Sequence, residues 1–127
     1  MGAAAAVALA LPACGDQEAA VRSTAERFYS AVERGDGQAA CEELSEDTVD
    51  QLEQSEGTDC ERAAVELELS GSRAREVQVF SDSGMVTFER GDRVFLTQEP
   101  DGWKVSAAGC RVNEDADDVP HECSVES

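Results

Sequence analysis

Positive charge is scarce in this chain. Its 127 residues hold one lysine (Lys104), nine arginines and one histidine against 28 Asp and Glu, a formal net charge of −18. Such acidity repels nucleic acid and anionic lipid head groups, both of which need a positive face, and nucleic-acid binding is excluded on that ground. Histidine is limited to His121 and no C-x-x-C spacing occurs, so the ligand patterns of zinc sites are missing. The serines Ser70, Ser81 and Ser83 have no G-x-S-x-G context and no His–Asp pair to activate them. No glycine-rich loop leads into a helix in phosphate-binding form, and no motif calls for a cofactor. The longest apolar run falls well short of the about 20 residues that a spanning helix needs.

That run is nevertheless informative. Residues 2–13 read Gly-Ala-Ala-Ala-Ala-Val-Ala-Leu-Ala-Leu-Pro-Ala, without a charge, and Cys14-Gly15 follow. An apolar stretch of this length ending in small residues fits the apolar region of a signal peptide. Leu11-Pro12-Ala13-Cys14 resembles a bacterial lipobox, with Leu11 at the large apolar position and Ala13 at the small one. No Lys or Arg precedes the run, a departure from the usual signal pattern. The resemblance implies cleavage before Cys14 and acylation of that cysteine. Two or more acyl chains give stable anchoring, at about 0.8 kcal/mol per buried methylene. The expected organisation is a leader over 1–13, a lipidated Cys14 with a flexible polar tether over 14–17, and one domain over 18–127. The expected location is the extracytoplasmic face of the cell membrane, reached through the lipid on Cys14.

Setting Cys14 aside leaves Cys41, Cys60, Cys110 and Cys123. Four cysteines in a small exported domain read as two disulfides, for which three pairings exist. Cys41–Cys60 and Cys110–Cys123 are favoured because each brackets a short local segment. The scarcity of lysine beside abundant Ala, Glu, Asp and Gly suggests a high-GC, actinobacterial source.

Apolar periodicity orders the rest. Val21, Ala25, Phe28 and Val32 recur at helical spacing and predict a helix over 18–34, stopped at Gly35-Asp36-Gly37. Short helices are predicted over 38–44, over 48–54 after a cap at Ser45 or Asp47, and from Thr58 or Asp59 to about Leu67. At Ser70-Gly71-Ser72 the period changes to two. Strands are predicted over 76–80, 85–90, 93–98 and 103–107, with Val77, Val79, Val86, Phe88, Trp103 and Val105 facing inward. Gly91-Asp92 and Glu99-Pro100-Asp101-Gly102 read as tight turns. Short turns between successive strands predict an antiparallel meander, and residues 121–125 an edge strand tied through Cys123 to Cys110. The fold class is α+β: N-terminal helices packed on a curved antiparallel sheet.

Phe28-Tyr29 in the first helix, Glu33-Arg34-Gly35-Asp36 before a Cys-bearing second helix, and Asp101-Gly102-Trp103-Lys104-Val105 in the last hairpin resemble the nuclear-transport-factor-2-like (NTF2-like) superfamily. The layout with its two cysteine pairs is similar to small actinobacterial lipoproteins of that fold. The resemblance implies a cone, a sheet wrapped around the first helix, whose open end holds a ligand beside Phe28, Tyr29, Val32, Phe88 and Trp103. It does not imply one function, because the fold hosts enzymes, binding proteins and spacers.

The expectation is a non-enzymatic domain that binds a small apolar ligand or a partner protein. A rival reading is a small isomerase or hydratase in which Tyr29 donates to a developing oxyanion beside an inward carboxylate. A third is a purely structural accessory lipoprotein. Tyr29 is expected to pack its ring on the helix face with a solvated hydroxyl, and His121 to be a solvated surface residue. Glu114, Asp115, Asp117 and Asp118 are read as a solvated acidic loop, since they lack the glycine turn and distal Glu of an EF-hand.

Overall fold

The computed structural model describes Gly2 and residues 14–69, 71, 73–89, 91–112 and 121–127. The rest of the expected leader and the acidic loop at 114–118 lie outside the described residues, as do the side chains of Cys14 and His121.

Four helices come first. Helix α1 spans Cys14–Glu33. It buries Val21, Ala25, Phe28 and Val32, the stripe that its periodicity marks. It begins four residues before the predicted start, so the segment expected to form a tether is helical. Asp16 in the first turn suits the positive end of the helix dipole, and Ala19 and Ala20 favour helix, while no proline intervenes. The helix ends as predicted. Gly35 takes φ +72°, and the amides of Gly35 and Asp36 return to the carbonyls of Val32 and Ala31 at 3.1 and 2.9 Å, closing a Schellman motif.

Helix α2 (Gly37–Glu42) is capped by Asp36, α3 (Glu46–Glu56) by Ser45 and α4 (Cys60–Val65) by Asp59, each side chain accepting from the amide three residues on. These helices are short. The Cys41–Cys60 disulfide joins α2 to α4, as the cysteine spacing favours. Helix α3 is four residues longer than the 48–54 expected, because Ser45 rather than Asp47 caps it and Gly57 in the left-handed region ends it.

The sheet follows in order β1 (Ala74–Phe80), β2 (Ser83–Phe88), β3 (Arg93–Glu99), β4 (Gly102–Val112) and β5 (His121–Glu122), with β6 (Val125–Glu126) also on β4. Every pair is antiparallel. The fold is α+β, as the change of period indicates. The predicted edge strand at the C-terminus is split between β5 and β6, both held to β4, and Cys123 lies between them in the Cys110–Cys123 disulfide.

Alternation sorts the strands into two faces. Val86, Phe88, Val94, Leu96, Trp103 and Val105 are buried against α1, and Val77 and Val79 pack at the margin of the same core. The helical half is also hydrogen-bonded to the sheet. Val105 donates its amide to Glu43 O and accepts from Ser45 N, at 2.7 and 3.0 Å, and the Thr48 hydroxyl donates to Ser106 O at 3.0 Å. Strand β4 is therefore the seam between the two halves.

Candidate functional site

The five residues expected at a ligand-holding cone mouth are core residues. Phe28, Tyr29, Val32, Phe88 and Trp103 are all at most 8 % exposed. They do not share one opening. Tyr29 and Phe88 form the floor of a cleft of about 390 Å³, with Glu26, Ser30 and Glu33 of α1 on one side and Gly71 and Arg73 on the other. Trp103 borders a different groove of about 470 Å³, between α1 and the β3–β4 turn. Phe28 and Val32 line neither. Among the described residues, buried side chains pack between α1 and the sheet, Phe28 and Phe88 the largest of them.

At the base of the first cleft lies a polar network that sequence reading missed. The Tyr29 hydroxyl is buried rather than solvated. It accepts a hydrogen bond from the amide of Gly109 at 2.9 Å and is hydrogen-bonded to the side chain of Asp92. Asp92 is 2 % exposed. It is fixed at the end of the β2–β3 turn, where its carbonyl accepts from Phe88 N at 2.9 Å. Arg111 Nε lies 3.9 Å from its Oδ1. Gly91-Asp92 reads in sequence as a hairpin signal, and nothing local indicates that its carboxylate turns inward; the one clue is its place directly before the apolar strand β3.

The rings are equally constrained. Tyr29 and Phe88 lie with centroids 4.4 Å apart, and Phe28 meets Tyr29 edge-on at 6.0 Å. The backbone of Gly71 runs so close over the Tyr29 ring that a β-carbon there would collide with it. Burial raises the pKa of the Tyr29 phenol far above its ordinary range, the Gly109 amide opposes this, and the Asp92 carboxylate pushes it higher still. The phenol is neutral at physiological pH. Its oxygen accepts from the Gly109 amide, and the Asp92 side chain shares the same buried site. Tyr29, Asp92 and Gly109 thus tie α1, the β2–β3 turn and β4 together.

What the cleft presents outward is an aromatic floor flanked by the carboxylates of Glu26 and Glu33 and the guanidinium of Arg73. A third groove of about 580 Å³ shares Ser23, Arg27 and Glu43 with the one at Trp103, and the Arg27–Glu43 ion pair at 3.0 Å crosses it. Among the described residues no three His, Cys, Asp or Glu side chains converge as metal ligands, and no helix is long and apolar enough to cross a membrane. Both disulfides fit an oxidising, extracytoplasmic environment. Compared with protein-family models, with curated proteins and with solved structures, the chain matches none.

Proposed function

We propose that this chain is a lipid-anchored extracytoplasmic domain of the NTF2-like type that binds a partner protein on its surface and performs no catalysis. The observation that supports the binding side of this reading is the burial of Phe28, Phe88, Val86 and Leu96 in the core, where a cone would hold a small apolar ligand. On this reading recognition falls to the surface. The anchor rests on Leu11-Pro12-Ala13-Cys14 together with the disulfides, which use the other four cysteines and leave Cys14 for acylation. In cells fractionated after expression of the full chain, the wild type is expected with membranes and Cys14→Ser in the soluble exported fraction. Retention of Cys14→Ser on membranes would contradict the anchor.

The buried Asp92 beside Tyr29 supports the rival reading, an isomerase or hydratase that uses Tyr29. Against it stands the burial of the phenol, whose oxygen already accepts from the Gly109 amide.

A further inference from the structure

Strand β1 is the outer strand of the sheet, and among the described residues no strand lies beyond it. Its pairing with β2 closes on Phe80 and Ser83 across a two-residue turn. In such a hairpin the closing pair is hydrogen-bonded, and the pattern alternates from there. Phe80, Gln78 and Glu76 direct their backbone groups at β2; Val77 and Val79 direct theirs away from it, into the open edge. Open edges of this kind are usually blunted by charge and bulges. Here the bulge lies between Ala74 and Glu76, and residues 77–80 stay regular. Phe80 closes this stretch and is 59 % exposed.

Charge selects the occupant. Residues 14–69 hold 16 acidic and four basic side chains, whereas residues 73–111 hold six of each. Residues 73–111, which hold β1 to β3 and nearly all of β4, are the balanced part of an acidic molecule, so two copies meet there with little net repulsion. The edge is also self-complementary. Arg73 and Arg75 stand at one end and Asp82 just past the other, so antiparallel self-pairing sets the basic end of each strand against the acidic end of its mate.

We infer that β1 pairs edge to edge with β1 of a second copy of this chain, antiparallel about a two-fold axis at Gln78. In this register Val77 of each copy exchanges hydrogen bonds with Val79 of the other. Gln78 faces Gln78 as a non-hydrogen-bonded pair, Glu76 faces Phe80, and Arg75 lies opposite Ser81 and beside Asp82. A single strand edge buries less than the about 1,200 Å² of a standard stable interface, so the dimer is weak and concentration-dependent.

Cysteine cross-linking of the full chain tests the register. Non-hydrogen-bonded partners have Cα atoms about 4.5 Å apart, within disulfide reach. Gln78→Cys under mild oxidation should give a homodimer band that a reductant removes. Glu76→Cys should not, because four residues of offset hold its two copies about 14 Å apart. Adding Val77→Pro to Gln78→Cys should abolish the band, since proline removes an amide that serves the open edge and not β2. A Gln78→Cys chain that stays monomeric overturns the proposal. So does equal cross-linking at both positions, or capture of a different protein in place of a second copy.

Discussion

Tyr29 shows how much one buried hydroxyl can organise. It is the chain's one tyrosine, so its ionisation can be followed by absorbance without interference from another phenol. In the folded state its pKa is raised, chiefly by burial. Unfolding returns it to the ordinary value near 10.0. Below that value both states keep the proton, and its contribution to stability is complete. Above it the unfolded chain ionises first, and stability falls by about 1.4 kcal/mol per pH unit. A denaturation series from pH 8 to 11.5 should show this loss, and Tyr29→Phe should lack the component. Tyr29→Phe should also be less stable at neutral pH by about 1–3 kcal/mol, because the Gly109 amide and the Asp92 carboxylate lose a partner in a buried site. Periodicity sets Tyr29 beside the apolar face of α1, and its ring is buried there, but periodicity says nothing about what a hydroxyl meets. Asp92 was illegible for the same reason. A side chain in a tight turn is solvated or buried according to what the rest of the chain folds over it, and here Tyr29 comes from 63 residues away in sequence.

At the scale of elements, local chemistry was more legible. Asp36, Ser45 and Asp59 cap helices because their oxygens accept from amides that a helix start leaves unpaired, and that need is visible in sequence. Ser45 does more than cap α3. Its hydroxyl lies 2.6 Å from that of Thr48, which donates onward to Ser106 O on β4. Ser45→Ala should therefore cost more than an isolated cap, about 2 kcal/mol by urea denaturation, at the upper end of the usual range. The Cys41–Cys60 bridge restrains two six-residue helices that could not persist alone. Cys41→Ala should lower stability by about 3 kcal/mol and leave the Cys60 thiol to be alkylated once the chain is unfolded. An unchanged melting temperature would show that the bridge restrains nothing. The start of α1 was misjudged because the polar Gly15-Asp16-Gln17 resembles a linker in composition, whereas a helix already nucleated at Val21 and Ala25 extends back through it.

For the whole molecule, two signals carried the fold class: the change of period at Ser70-Gly71-Ser72 and the short turns between strands. The bonding of residues 43–45 to β4 had no such signal, because it joins segments about 60 residues apart through backbone groups that every residue carries. Charge is unevenly distributed, with the excess acid in residues 14–69 and 112–127 and none in residues 73–111. The lipid-anchored reading gives this distribution a setting: an acidic domain held at a surface by its N-terminal end, facing outward with its disulfides intact. The intact mass of the protein, extracted from its own membranes in mild detergent, tests that reading most directly. The account predicts a chain that begins at Cys14, carries two or three acyl groups and is lighter by four hydrogens for two disulfides. An unmodified chain that retains Met1, or one with its thiols reduced, would contradict it.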